Sequence, residues 1–292
     1  MAFPAVVGTP AESATTTAGT SHVVNLPSGA TGNLFLLVLG KGSTAATINA
    51  LTGWTELVDE NQAWGTFVAW RTCDGTEGTT TTFTSSASTK TATIVYEISG
   101  QSNFAPEISA VGTGTSAAPD PLTCTPTGGA KDYLWITFFN LGGAGEEADD
   151  DTWCNNAATN YANLIQKTAG VAGTNISPYI ASCNRTNNAA SENAVWPAAS
   201  TDQSLAWRAW TVAVHPAQLV SADTGSFTEA GVTATLIADR LLADGAALGA
   251  YSLTGVLATL LVAALSSPPQ IQRTFKTGGR RVPNYPAVPR RR

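Results

Sequence analysis

The sequence has few charged side chains, few methionines and few histidines, and each shortage argues against a class of protein. Charged residues make up 12% of the 292-residue chain, about half the usual share of a soluble domain. Helices are built mainly from Glu, Lys, Leu and Arg, so this composition favours short strands joined by tight turns. One Met beside eight Trp argues for a rigid aromatic core or surface and against an adaptable, Met-rich interface. The composition therefore predicts an all-β protein.

The sequence also lacks the motifs of common catalytic centres. It contains no HExxH, no GxSxG and no GxxxxGK[ST], which mark zinc peptidases, serine hydrolases and nucleotide-binding loops. The two histidines, His22 and His215, stand far apart, and neither begins a set of metal ligands. We therefore predict a protein without enzymatic activity, metal or cofactor.

Cysteine usage and the N-terminal segment indicate a reducing compartment. The four cysteines form no CxxC pair and are Cys73, Cys124, Cys154 and Cys183. The segment "MAFPAVVGTPAES" has neither a basic start nor a long apolar stretch, so we expect the protein to be made and folded in a cytoplasm. We expect four free thiols, most of them buried.

Two similar series of short apolar runs occupy the chain up to residue 216. The run "NLFLLVLG" (33–40) is continuous, as expected for a central strand covered on both faces. The matched segments are 26–40 with 125–139, 52–60 with 158–167, 65–78 with 176–189, and 83–100 with 196–216. These pseudo-repeats, over about 20–100 and 120–216, predict an antiparallel β-sandwich of jelly-roll type. The alternative is two small sandwiches side by side.

A shorter repeat lies within residues 217–267. "GSFTEAGVTATLIA" (225–238) aligns with "GAYSLTGVLATLLV" (249–262) at an offset of 24 residues. A repeated aromatic (Phe227, Tyr251), a repeated Gly and an apolar run that includes Leu260 predict β-hairpins. Such short repeats cannot bury both faces alone, so we expect them to form assembly contacts in a homotrimer.

The apolar stretch Leu241–Leu265 overlaps the second copy of this repeat. Its 25 residues carry a single charge, Asp244, and its length would suffice for a membrane span. It is interrupted by three glycines, however, and its continuous apolar part, Val256–Leu265, is only ten residues long. We predict assembly strands here and no membrane span.

Charge is divided sharply between body and tail. Residues 1–272 hold eight Lys and Arg against 21 acidic residues, a formal charge of −13, whereas residues 273–292 hold seven basic residues and no acid. The arginines expected to make contacts are Arg280, Arg281, Arg290, Arg291 and Arg292. The prolines of residues 268–292 predict an extended arm that reaches neighbouring subunits; the alternative is a solvated, disordered tail. Because the body is acidic, we do not expect nucleic acid as the partner.

Two further groups are candidates for surface contacts. The loop "GEEADDDTW" gathers Glu146, Asp149, Asp150 and Asp151, carboxylates of the kind that bind Ca²⁺. The loop lacks the spacing of a calcium loop, so we interpret it as a solvated loop or as a receptor for a neighbour's basic tail. Trp64 and Trp153 lie in polar segments, unlike the other tryptophans, which we assign to the core.

The order of these segments resembles a group of tailed-bacteriophage and prophage virion proteins found among head and tail structural genes. The resemblance covers residues 1–216 and rests on "VVGTP", "TSHVVNLPSG", "GNLFLLVLG", "GWTEL", "WRTCDGTEGTTTTFT" and "TATIVYEISG", followed by "DYLWIT", "NY", "NAASE" and "WRAWTVAVHP". It implies a lectin-like β-sandwich located on the virion, and it carries no catalytic residue over to this chain.

The resemblance leaves open where on the particle the protein acts. We expect a capsid decoration or cement protein, or a head spike, whose partners are its own copies, the major capsid protein or other virion proteins. The alternative is a minor tail or receptor-binding protein that recognises host surface glycan. An enzyme such as a polysaccharide depolymerase is disfavoured, because no catalytic set is visible.

Overall fold

The structure is a computed structural model of the chain. It describes residues 3–42, 45–144, 154–170, 177–197 and 205–217, together with the backbone of four later strands. The regular elements among these residues are all strands, which confirms the all-β prediction. The chain divides into two compact units, Met1–Ala217 and Gln218–Arg292.

The first sheet contains six antiparallel strands. They are β1 (Ala5–Val6), β2 (Ala11–Asn25), β3 (Leu34–Lys41), β4 (Thr55–Asp59), β5 (Thr66–Thr72) and β6 (Thr80–Ser99). Strands β1 and β2 pair in succession with one edge of β6, and β3, β5 and β4 follow on its other side. Strand β3 is therefore the central strand, as its continuous apolar run predicts.

The second sheet contains the next six strands and is also antiparallel. They are β7 (Glu107–Ile108), β8 (Gly112–Gly114), β9 (Lys131–Ala144), β10 (Ala162–Thr168), β11 (Ser177–Ala189) and β12 (Ala206–Val214). Strands β7 and β8 pair with one edge of β12, and β9, β11 and β10 follow on its other side. Counted within its own half, the strand order equals that of the first sheet.

Strands β1–β6 form one sheet and β7–β12 the other, so among these twelve strands the connection from β6 to β7 is the one that passes between the sheets. The antiparallel two-sheet architecture is confirmed, but the jelly-roll connectivity is not.

One apolar layer joins the two sheets. Side chains alternate along β3, so that Leu34, Leu36 and Val38 join a buried cluster shared with β9 and β12 of the second sheet. Trp210 belongs to this layer and stacks on Phe138 with ring centroids 5.4 Å apart. The sheets therefore face each other as one sandwich, and the alternative of two separate sandwiches is not supported.

Both outer faces are covered as well. On the first sheet, Phe35 and Leu37 point away from the shared layer and pack with Val24 of β2 and Phe83 of β6. On the second sheet, Trp135 belongs to a third cluster that includes residues from the loops beyond β9 and β11. All eight residues of β3 are buried because each of its faces has its own core.

A buried carboxylate holds the turn that leads into β3. Glu97 of β6 is 1% exposed and accepts hydrogen bonds from Ser28 Oγ, Gly29 N, Ala30 N and Asn33 Nδ2 at 2.7–3.1 Å. Burial alone would raise the pKa of Glu97, but these four donors favour the charged form and hold the pKa below its ordinary value of 4.5. The ionised side chain thus fixes the turn.

We expect Glu97→Gln to lower the free energy of unfolding by about 2–3 kcal/mol, because an amide NH₂ group would face donors. In the wild type, the folded pKa lies below the unfolded value, so the stabilisation is complete above about pH 4.5 and is lost as the pH falls through the lowered pKa. Urea denaturation at several pH values should show a weaker dependence on acid pH in the variant. The exposed Asp120→Asn is the control; an equal effect there would contradict this assignment.

The second unit contains a four-stranded antiparallel sheet. Its strands, in spatial as well as sequence order, are β13 (Gly225–Glu229), β14 (Val232–Ala238), β15 (Leu248–Leu253) and β16 (Thr259–Ala263). Strands β13 and β14 pair from Gly225–Leu236 to Glu229–Val232, as expected of a hairpin. Two strands thus lie within the apolar stretch 241–265, and no helix in the described part of the chain is long and apolar enough to cross a membrane.

Candidate functional site

The structure places only part of the residues singled out in the sequence. Phe227 pairs through its backbone with Ala234, and Tyr251 pairs with Leu260. Tyr251 and Leu260, two of the three apolar candidates for assembly contacts, therefore lie opposite each other on neighbouring strands. The other contact candidates, except Trp64, lie outside the described residues: Trp153, Glu146, Asp149, Asp150, Asp151, Arg280, Arg281, Arg290, Arg291 and Arg292. Proposals that involve those residues remain predictions.

Trp64 lies in the turn between β4 and β5, in a conformation that tryptophan rarely adopts. Its φ is +56°, in the left-handed region where a bulky side chain is strained by about 1–3 kcal/mol. The backbone is held by hydrogen bonds from Trp64 N to Gly42 O and from Asn140 Nδ2 to Trp64 O, both 2.8 Å. The next residue, Gly65, has no room for a side chain, because a Cβ there would collide with Glu60 O. The turn is therefore built to fix one tryptophan.

The Trp64 indole lies against the backbone of the second sheet. A Cβ at Gly142 of β9 would overlap Cγ and Cδ2 of the ring, so only glycine permits this packing. The residue remains partly exposed, and its Nε1 is buried without a hydrogen-bond partner among the described residues. Trp64 is thus a partly exposed ring that packs on the second sheet, and its role as a contact residue stays a prediction.

A recess of about 290 Å³ opens beside Trp64. It is lined by Trp64, residues 113–115 of β8 and its end, and Ala206, Trp207 and Arg208 of β12. Trp207 is fixed in turn: its ring leaves no space for a Cβ at Gly114, and its Nε1 lies 3.4 Å from Ser116 Oγ. The two glycines, Gly114 and Gly142, let both indoles approach the backbone closely.

Arg208, one of the residues that line the recess, forms an ion pair with Glu60 of the other half of the sandwich. Arg208 Nη1 lies 2.8 Å from Glu60 Oε1, with the side chains 24% and 16% exposed. Glu60 Oε2 also accepts a hydrogen bond from Thr66 N at 3.3 Å, which fixes the carboxylate. The recess therefore combines an aromatic ring with an oriented guanidinium donor whose charge is balanced by Glu60.

His22 does not activate a nucleophile. Its Nε2 lies 2.9 Å from Ser85 Oγ and its Nδ1 lies 3.3 Å from Thr91 Oγ1. The Ser85 hydroxyl donates to Ala87 O at 2.7 Å, so Ser85 accepts the Nε2 proton and His22 cannot take a proton from it. Burial lowers the pKa of His22, which keeps the ring neutral. This Ser–His pair holds β2 to β6.

His215 pairs with Glu107 to hold a turn in place. His215 Nε2 lies 2.8 Å from Glu107 Oε1, and the same carboxylate accepts hydrogen bonds from Thr127 N and Thr127 Oγ1. Burial lowers the pKa of His215, and Glu107 opposes that shift only in part. The pair thus connects β7, the end of β12 and the turn before β9.

The four cysteines are free and buried, as predicted. Burial raises the pKa of the Cys73 and Cys124 thiols to about 12, and it also raises the pKa of Cys183. Thiols with raised pKa values are poor nucleophiles and metal ligands. Among the described residues, no group of three or more His, Cys, Asp and Glu side chains is arranged to hold a metal ion.

The sequence singled out Trp64 but not the rest of the recess. Trp207 reads as a core residue in an alternating strand, and it is 6% exposed. Glu60 and Arg208 are 148 residues apart, and nothing in either local pattern signals that they meet. The turn before β5 lies against the start of β12 because the two sheets have matching strand orders.

Comparison with protein-family models, with curated proteins and with solved structures finds no match to this chain. The function is therefore argued from the chain's own residues.

Proposed function

We propose that this chain is a non-enzymatic structural protein of a tailed-phage particle, acting as a capsid decoration or cement protein or as a head spike. The observation that carries the proposal is the use of buried polar groups. Lys41, Glu97 and Asn140 are almost completely buried, and each is bonded to loop or turn groups. The buried charges of Lys41 and Glu97 stabilise loops and turns, as in structural ion-pair networks, and this supports a rigid scaffold.

The two halves of the sandwich support the further proposal of an internal pseudo-repeat. Both sheets have the same strand order within their own half, and the sequence segments that match belong to corresponding strands, such as β3 with β9 and β5 with β11. Two copies of a sheet with both faces covered form a rigid body, and such a body can be displayed on a particle.

Assembly into a homotrimer, with the virion as its location, is the second part of the proposal. The strands β13–β16 form a small sheet, and a sheet of this size gains stability when its apolar face is covered by another subunit. The basic residues 273–292 would then contact the acidic body of a neighbour. The major capsid protein, or another virion protein, is the expected surface beneath.

The experiment is co-sedimentation of the purified full-length protein with capsids of the encoding phage that lack this chain, combined with light scattering for its mass. We expect a trimer that binds capsids, and we expect Phe227→Ser with Tyr251→Ser to weaken both trimer and binding. The control, Leu122→Ser, changes an exposed apolar residue of the sandwich. A monomer that does not bind capsids would contradict the proposal.

A second candidate function, a minor tail or receptor-binding protein, is favoured by one observation. The partly exposed Trp64 ring stands beside the Arg208–Glu60 pair in an open recess. Adsorption of particles to host cells that is blocked by the purified chain would support this alternative, and unaffected adsorption would exclude it.

A further inference from the structure

The recess beside Trp64 is open, unlike the three buried cores. The side chains that line it are nevertheless held in fixed positions. One face of the indole is occupied by Gly142, and the ring still borders the recess. The strained backbone of Trp64 is a further sign that the position of this ring is maintained against its own conformational preference.

The polar wall of the recess suits hydroxyl groups. Arg208 lines the recess, and its guanidinium has five N–H donors, of which Glu60 accepts one among the described contacts. The pair is neutral as a unit, and residues 1–217, which form the unit that contains the recess, hold seven basic and 17 acidic residues, a formal charge of −10. An anionic ligand would be repelled by this body, whereas a neutral ligand with several hydroxyl groups would not.

The volume of the recess and the fixed positions of its side chains narrow the class of ligand further. A volume of about 290 Å³ lies at the lower end of the ~300–1,000 Å³ range of small-molecule sites, which suits one sugar ring with its substituents. Trp64 is held by Gly42 and Asn140, and Arg208 is held by Glu60. Binding would therefore require little ordering of side chains.

We propose that this recess binds the ring of a neutral hexopyranose. The apolar C–H face of the sugar packs on the Trp64 indole, and its hydroxyl groups accept hydrogen bonds from Arg208. The inference goes beyond the structural role proposed above and holds whether the chain is located on the shell or on the tail.

The test is a titration of the full-length protein, carrying fluorine-labelled tryptophan, with the methyl pyranosides of glucose, galactose, mannose and N-acetylglucosamine. Methyl glucuronide and N-acetylneuraminic acid are the anionic probes. The Trp64 signal is identified from its absence in Trp64→Phe. We expect at least one neutral sugar to shift the Trp64 signal in the wild type.

Variants then assign the contacts, with binding measured by calorimetric titration because Trp64→Ala has no Trp64 signal. We expect Trp64→Ala and Arg208→Met to weaken the binding about tenfold or more, as for a residue at the centre of a contact. Phe104→Ala is the matched control, because Phe104 is an aromatic residue that is 53% exposed and packs on His215 beyond the far end of β12. Binding should be unchanged in that variant.

Three results would overturn the inference: a Trp64 signal that no neutral sugar moves, binding that survives Trp64→Ala in a folded protein, or a response to the anionic sugars alone. The first result is read from the wild type, so the test does not depend on any variant folding. Capsid binding and trimer formation are measured separately, so failure here leaves the structural proposal standing.

Discussion

Lys41→Met is expected to lower the free energy of unfolding by about 3–5 kcal/mol, because it leaves a buried carboxylate without its counter-charge. Lys41 is fully buried, and its Nζ lies 2.5 Å from Asp59 Oδ1 and 2.6 Å from the carbonyl oxygens of Ala46 and Glu60. Burial lowers the pKa of Lys41, and Asp59 opposes the shift. The ammonium group thus ties the loop after β3 to the end of β4. Urea denaturation followed by circular dichroism measures the loss.

Two variants separate this effect from a general loss of charge. Replacing both partners, as Lys41→Met with Asp59→Leu, should recover part of the stability, because no unpaired charge remains. Lys167→Met removes a lysine that lies 3.9 Å from Glu12 and is 25% exposed, and we expect a change of about 1 kcal/mol or less. A loss in Lys41→Met no greater than that in Lys167→Met would contradict the assigned role.

Trp210→Ala is expected to cost about 3–5 kcal/mol, the usual range for emptying a buried aromatic site. Trp210 is 1% exposed and stacks on Phe138 within the layer shared by both sheets. Because that layer joins the two halves, the sandwich should still unfold in a single transition, at a lower urea concentration. Circular dichroism and tryptophan fluorescence should therefore report the same midpoint.

Trp210→Phe provides the graded control, since it keeps a ring against Phe138 and should lose less stability. If Trp210→Ala instead produced two separate transitions, only one of them shifted, the two halves would be independent folding units. That outcome would contradict the single sandwich.

The strands of the sandwich could be predicted from local pattern, and their connectivity could not. The run from Leu34 to Leu39 is apolar at every position because both faces of β3 are covered, and a continuous run is the signal of such a strand. The matched segments also correspond to matched strands. The pseudo-repeats predict a jelly roll, but local patterns carry no information about which sheet a strand joins.

Four residues were assigned to the candidate site, and the sequence predicts one of them. The four are Trp64, Trp207, Glu60 and Arg208. A tryptophan among polar neighbours is a visible signal, so Trp64 was identified. The positive φ that orients it depends on Gly65 and on Asn140 from the other sheet, and Arg208 meets Glu60 across 148 residues. Contacts of this kind arise from tertiary packing, which has no local signature. The acidic loop and the basic arm lie outside the described residues and remain predictions.

Whether tailed-phage particles carry this chain, and where, tests the proposed function most directly. Electron cryo-microscopy would compare particles produced with the gene for this chain with particles produced without it, and would reveal its density by difference. The proposed role in the head predicts extra density on the outer surface of the shell. This density should be arranged in threefold groups, with the sandwich pointing outward. Particles that contain no copy of the chain, or that carry it only at the tail tip, would contradict a decoration or spike role.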